Sequence, residues 1–375
     1  MTKNKQKTLV RLIAASLSLI FLALSLCGCA SKENVVFELE GQKIEADLYR
    51  YWLSYFKSYF VYYFSDVTDT EEYWSSEISE GLSAEEYIKD YAERYVKNYL
   101  CALVLFKRYG LKLPSETKSQ INAALDEQIE YYGSRSALNR ELIKTCGITV
   151  ARLEKIYEIE AKVKYLESYL YGDNGIAVLS EDDLDEYYRE NYYLVKYIYF
   201  STSTKYDYDE DGKLGTDSSG NYLTKEMTKE EIEASIARAN EAYGRAKDGE
   251  DFNSLIDEYS EPILNFTESC PNGFYLTADD VATMGYTIIS NLQKMNVGDL
   301  VLTNDDYGYY LISRLELGNK PFVSGVDADQ FADLESKATQ KKYNELLSSM
   351  WENMQIDRDY LDSVGIMDVT QNINF

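Results

Sequence analysis

From Leu48 to Phe64 apolar positions recur every three or four residues, the spacing of a helix, and most of them are aromatic. Trp52, Tyr55, Tyr59 and Tyr62 fall on one side of that helix, and Tyr49, Phe56, Phe60 and Phe64 on another. Stripes at this spacing usually pack as core, whereas a helix aromatic on two sides needs covering neighbours or presents a surface to a ligand. The exposure of Tyr55, Tyr59 and Tyr62 decides between the two. The helix begins near Glu45, after a short strand from Val35 to Leu39 and the turn-like run Gly41-Gln42-Lys43-Ile44.

Helical spacing continues from Ala84 to Tyr109, where Tyr91, Tyr95, Tyr99 and Leu103 share a stripe, until Gly110 and Pro114 stop it. Further helices are expected over 115–132, 135–145 and 150–171. Gly172 to Gly175 forms a break, and Ser180-Glu181-Asp182-Asp183 caps a short helix ending near Glu190. Proline is almost missing from this half, as suits an all-helical module.

The texture then changes. Leu194 to Ser203 is rich in β-formers, and a polar Asp/Gly-rich insertion follows to about Thr224. Helices are expected over 229–247 and from Phe252 to Tyr259. Gly298 to Val301 and Tyr309 to Ile312 read as strands closing a small α+β unit. After Pro321 the chain returns to helix from about Asp329 to Met354. A length of 375 residues implies two or more domains.

Lys3, Lys5, Lys7 and Arg11 precede an apolar run from Leu12 to Leu26, then Leu26-Cys27-Gly28-Cys29-Ala30 and polar Ser31-Lys32-Glu33-Asn34. That order is a secretory signal, and the run is short for a membrane span of ~20 residues. An uncleaved signal anchor is the alternative. Leu26-Cys27-Gly28-Cys29 resembles a bacterial lipobox, which implies cleavage before Cys29 and lipidation of its thiol. Either way the mature chain is expected outside the cytoplasm, on the outer face of a bacterial cell membrane.

Composition narrows the chemistry further. The chain has no histidine and 36 tyrosines, which removes the Ser-His and Cys-His pairs, histidine zinc sites and the usual general base. Carboxylates, lysines, tyrosines or cysteines must do any chemistry, or else the protein works by binding. The formal net charge is −26, and about −30 once the four cations of residues 1–28 are removed. That disfavours nucleic acid, tolerates basic or unfolded polypeptides, and also serves solubility.

Cys101, Cys146 and Cys270 remain after the signal region, without CxxC spacing, so no metal site or disulfide framework is expected. Buried free thiols are favoured, with a Cys101–Cys146 bridge as the other state. Asp207-x-Asp209-x-Asp211-Gly212 matches the first half of an EF-hand loop, but position twelve is Ser218 instead of the bidentate glutamate. The runs are also ordinary turns. No cofactor is expected.

The segment Val195–Leu317 resembles the parvulin family of peptidyl-prolyl isomerases. The matching features are VKYIYF, AKDGEDFNSLIDEYS, PNGFYL and LQKMNVGDLVLTNDDYGYYLISRLEL, together about a third of the chain. The order of helical region, parvulin-like unit and terminal helix also resembles PrsA-type foldase lipoproteins and SurA-type chaperones. The resemblance implies an α+β protein in which N-terminal region and C-terminal helix form a helical chaperone-like module, with a small parvulin-like domain inserted. The expected divisions are 1–28 signal, 29–34 lipidated linker, 35–192 helical domain, 193–322 parvulin-like domain and 323–375 C-terminal helix.

The family's paired histidines fall on Tyr197 and Tyr310, and its threonine on Thr303. Its Asp/Cys position falls on Pro262, and its proline pocket on Met284 and Ile288. Tyr55 and Tyr59 are the candidate client contacts of the helical module.

Rotation about an X–Pro bond faces a barrier of ~18–20 kcal/mol, and a pocket with hydrogen bonds to the twisted amide lowers it without covalent chemistry. Paired tyrosines donate and accept hydrogen bonds but are poor proton shuttles, with a pKa near ~10. Three functions follow: a foldase or holdase for newly exported polypeptides with a degenerate site, an active isomerase, or a surface lipoprotein without chaperone action.

Overall fold

A computed structural model describes residues 34–64, 66–79, 81–208, 211, 213–260, 266–323, 325 and 327–372. The signal, the lipobox with Cys29, and Pro262 lie outside the described residues. The protein is α+β and separates into two units. Among the described residues, unit one takes 34–178 and 340–372, and unit two takes those within Leu179–Thr339.

In unit one, β1 (Val35–Leu39) and β2 (Gln42–Glu45) form a hairpin. Its turn residues Glu40 and Gly41 both have positive φ, +48° and +74°, as a type I′ turn requires. Strand β2 runs directly into α1 (Ala46–Tyr63), and α2 (Glu71–Ser75), β3 (Glu77–Ser79) and β4 (Leu82–Ser83) lead to α3 (Ala84–Arg108). Ser83 and Glu86 cap α3 reciprocally, each satisfying the other's backbone amide. Helices α4 (Ser115–Tyr131), α5 (Arg135–Cys146) and α6 (Val150–Tyr171) follow, and α3 packs on both α1 and α6.

The centre of this unit is aromatic. Trp52 is buried with ring centroids of Tyr95, Tyr51 and Tyr99 at 4.7, 5.0 and 5.2 Å. The hydroxyls of Tyr95 and Tyr99 share a 2.9 Å hydrogen bond, so the polar tips satisfy each other inside the core. Cys101 and Cys146 are buried free thiols.

The polar side of α1 holds the chain's end. Lys57 Nζ donates to the carbonyls of Ile366 (3.2 Å) and Val369 (2.9 Å) and pairs with Asp69 at 2.8 Å. Arg50 and Ser54 donate to the carbonyls of Asp368 and Thr370, and the amide of Asn372 donates to Ser58. Ser54 follows Arg50 by four residues, and Lys57 and Ser58 follow Ser54 by three and four, so one stripe of the helix reads a strap of backbone.

The terminal helix expected over Asp329–Met354 is shorter and interrupted. A 3₁₀ turn covers Ala328–Phe331, the α-helix covers Leu334–Ser348, and a second 3₁₀ turn covers Trp351–Asn353. Ser348 and Ser349 hydroxyls donate to the carbonyls of Glu345 and Leu346, competing with the helix ladder at its end. The chain then extends, and Gln355–Ile356 adds a third strand to β1.

Unit two opens with α7 (Glu181–Asn191), capped by Ser180 and Asp183. Strand β5 (Tyr193–Ser201) follows, and the insertion after it folds back through β6 (Thr204–Tyr206) and β7 (Thr224–Glu226). Then come α8 (Lys229–Lys247), α9 (Phe252–Tyr259), β8 (Phe274–Leu276), α10 (Val281–Met284), α11 (Tyr286–Leu292), β9 (Leu300–Asn304) and β10 (Gly308–Leu315). The antiparallel sheet has the order β8-β5-β10-β9. Ile198, Phe200 and Leu311 pack with Ala239, Ala242 and Leu255 in one core cluster. Val195 and Ile312 pack with Ile288, Ile289 and Leu292 in another.

Strand β8 and helix α11 were not foreseen from sequence. Each is too short to carry a period, and β8 exists only by pairing with the start of β5. The strand expected at Gly298 begins at Leu300, because Gly298 turns the chain with φ +87°.

Candidate functional site

Strand alternation sorts the side chains of the sheet. Tyr310 lies opposite Tyr199 on β5 and Thr303 on β9, and Ile312 lies opposite Tyr197 and Val301. Directly opposed residues share a face, so Tyr197, Tyr199, Thr303 and Tyr310 lie on the same one. Tyr197, Tyr310, Met284 and Ile288 belong to one apolar cluster, so the fold gathers residues up to 113 positions apart in sequence.

Burial pushes the Tyr197 phenol up to about 12, with Cys270 beside it contributing. Burial likewise raises Tyr310, reinforced by the neighbouring Asp305 carboxylate and by Tyr199. Both phenols are therefore neutral hydrogen-bonding groups near pH 7. The Tyr197 ring packs on Phe274 at 5.5 Å and that of Tyr310 on Tyr199 at 5.0 Å.

Asp305 is the carboxylate of this face, and sequence reasoning missed it. Burial alone would raise its pKa; the Tyr307 and Gly308 amides and the Tyr310 and Thr287 hydroxyls outweigh that and hold it low. The amides lie 2.9 and 3.1 Å from Oδ1, and the Thr287 hydroxyl 3.2 Å from Oδ2. It staples the β9–β10 turn and is committed to that task. The Asp-Asp-Tyr-Gly run was the available signal, since Asp commonly bonds backbone two or three residues on. Gly308 is required there: a Cβ would sit 2.4 Å from the Phe200 carbonyl oxygen.

Met284 is half-buried at the end of α10, whereas Ile288 is 2% exposed and spent on the core. Tyr286 and Tyr307 are the large exposed apolar groups flanking this face in sequence.

Unit one offers a second candidate surface. Tyr55 is half-buried against Trp52 and Phe56, while Tyr59 is exposed. Beyond Tyr59 the end of α1 is open, with Tyr62 and Tyr63 at 67% and 65% exposure and Phe64 also exposed. Rings link these residues into one surface: Tyr59–Tyr63 at 4.7 Å, Tyr62–Tyr63 at 4.9 Å and Phe60–Phe64 stacked at 5.2 Å. Phe60 also meets Tyr87 and Tyr91 of α3, both exposed, at 6.0 and 6.1 Å. Trp52, on the same predicted stripe as Tyr59 and Tyr62, is instead core. The stripe leaves the core two turns beyond Trp52.

In the Asp207–Asp211 segment, Asp207 pairs with Lys225 at 2.7 Å, and the rest of the loop lies partly outside the described residues. No group of acids or cysteines among the described residues is arranged to hold a metal. No described helix is long and apolar enough to cross a membrane.

No protein-family model and no curated protein matches the chain. It is similar to solved PrsA structures over most of its length. PrsA from Bacillus subtilis shares 19% identity, covering 77% of this chain and 98% of that one, with a TM-score of 0.23. The PrsA peptidylprolyl isomerase of Bacillus cereus shares 16%, covering 77% and 96%, with a TM-score of 0.28. The PrsA foldase protein of Lactococcus lactis shares 9%, covering 87% and 96%, with a TM-score of 0.21. Superposition that loose does not carry function, which rests on the two surfaces above.

Proposed function

We propose that this chain is a lipid-anchored extracytoplasmic foldase or holdase that captures unfolded segments of exported proteins on the aromatic end of α1. The observation that carries the proposal is the run of exposed, ring-linked Tyr59, Tyr62, Tyr63 and Phe64 beside Tyr87 and Tyr91. An exposed patch of that kind on a soluble unit marks a contact surface. Tyrosine suits the task, because its ring takes apolar contact while its hydroxyl stays wet, and little rotamer freedom is lost. The large negative charge keeps a sticky surface soluble and mildly attracts basic chains. The anchor is Cys29, supported by the Leu26-Cys27-Gly28-Cys29 run after a basic and apolar leader.

In unit two, the neutral Tyr197 and Tyr310 phenols and the committed Asp305 leave no proton shuttle among these groups near pH 7. That face serves as a binding module whose isomerase site is degenerate.

The test is light scattering from a chemically unfolded client diluted into buffer with the protein. The Tyr62→Ser, Tyr63→Ser, Phe64→Ser triple variant removes exposed rings, so its melting temperature should stay near wild type while most aggregation suppression is lost. Suppression equal to wild type would remove the aromatic surface from the mechanism. Cys29→Ser should release the protein from the membrane fraction.

A further inference from the structure

Helix α3 carries different residues on another face, where unit one opens a cavity of about 610 Å³. Roughly 300–1,000 Å³ is the usual size of a ligand pocket. Glu85, Glu86, Asp90, Glu93 and Asp362 line it, against one lining cation, Lys89. Arg94 reaches Asp90 at 3.1 Å, and Lys97 and Arg358 reach Glu93 at 2.5 and 2.7 Å. Arg358 also acts on Asp362, so the five lining acids meet four cations, Lys89, Arg94, Lys97 and Arg358, an excess of one negative charge, and Glu85 and Glu86 form no ion pair among the described residues. Glu86 commits Oε2 to capping α3, and Glu85 commits Oε1 to the Ile366 amide at 3.0 Å. Each has its other oxygen without a hydrogen bond among the described residues.

Tyr49 supplies the second observation. Its side chain is 1% exposed and lines this cavity, yet its hydroxyl has no hydrogen-bond partner among the described residues. Buried tyrosines normally find one. Burial, with Glu93 nearby, raises this phenol, so it is neutral and its oxygen is free to accept. A phenol oxygen and carboxylates around one space match an ammonium or guanidinium.

We propose that this cavity binds a cationic side chain, lysine or arginine, of a polypeptide segment, with Tyr49 Oη accepting one N–H and Glu85, Glu86 and Asp362 supplying the charge. The site does not depend on the aromatic surface: Tyr87 and Tyr91 serve that surface, and residues 85, 86, 90 and 93 serve this one.

Fluorescence anisotropy of labelled tetralysine, titrated with the full-length protein, tests it. Saturable binding is expected, absent for fully acetylated tetralysine. Tyr49→Phe removes only the hydroxyl and should weaken binding about tenfold, the worth of one hydrogen bond to a charged group. Glu85→Gln with Asp362→Asn should weaken it at least as much, whereas Glu226→Gln with Glu230→Gln, an equal charge loss at exposed sites of unit two, should leave it unchanged. Unsaturable binding, wild-type binding by Tyr49→Phe, or equal loss in both charge pairs overturns the proposal. Should Tyr49→Phe lose its circular dichroism, the single Asp362→Asn variant carries the test against Glu230→Gln, and equal binding by the two is the overturning result.

Discussion

Lys57→Met removes an ammonium that is 3% exposed and replaces it with an apolar chain of similar length. Three partners lose their donor: the carbonyls of Ile366 and Val369 and the carboxylate of Asp69. Breaking a buried pair costs about 3–5 kcal/mol, and an orphaned buried acceptor about 1–3 kcal/mol, terms that overlap and do not simply add. Asp69 keeps Gln371 at 2.8 Å and Trp74 at 2.9 Å and is partly exposed, which places the expected loss near the lower end, about 3 kcal/mol. For a unit of this size that is roughly 6–12 °C in melting temperature.

Tryptophan fluorescence is the appropriate assay, because Trp52, Trp74 and Trp351 all belong to unit one and unit two carries none. Urea titrations of Lys57→Met, Asp69→Asn and the double variant isolate the pair by a thermodynamic cycle. A Lys57→Met loss below about 0.5 kcal/mol, the range of an ordinary surface substitution, would falsify the view that this lysine anchors the C-terminal strap.

Glu160 tests the aromatic core through pH. Burial raises its carboxyl from 4.5 to about 7, with Lys164 pulling the other way, and its charge in turn helps to raise the phenols of Tyr51, Tyr55, Tyr95, Tyr99 and Tyr157. A raised folded-state value means stability is full below about pH 4.5 and is lost as pH rises towards 7. Glu160→Gln should gain on wild type across that window by about 2–3 kcal/mol, and a pH-independent difference between the two urea curves refutes the burial argument. For unit two, a proline-peptide isomerisation assay should give no acceleration over the uncatalysed rate. Acceleration abolished by Met284→Ala and Thr303→Ala would restore an active site to this face.

Much of the local structure was legible in the residues. The helix over 150–171 and that over 229–247 are as the periodicity placed them, because Thr149 and Thr228 cap them and their apolar spacing persists. The face carrying Tyr197, Thr303 and Tyr310 was legible only through resemblance, since no spacing links residues on three strands. Thr287 stayed hidden for the same reason: its bond to Asp305 depends on where α11 lies, and that helix has seven residues and no strong period.

The absence of histidine and the tyrosine-rich stripes belong to the sequence alone, and they exclude mechanisms before any coordinate is known. Which tyrosines act as core and which as surface could not be read from it. Trp52 and Tyr62 share a stripe, yet one is sealed under α3 and the other stands in solvent, because a stripe tells direction and not how far the neighbouring helix extends. The strap over α1 and the acidic cavity beside Tyr49 were decided in the same way. Both bring the last residues of the chain against its first helices, and no local propensity encodes an approach across 300 positions.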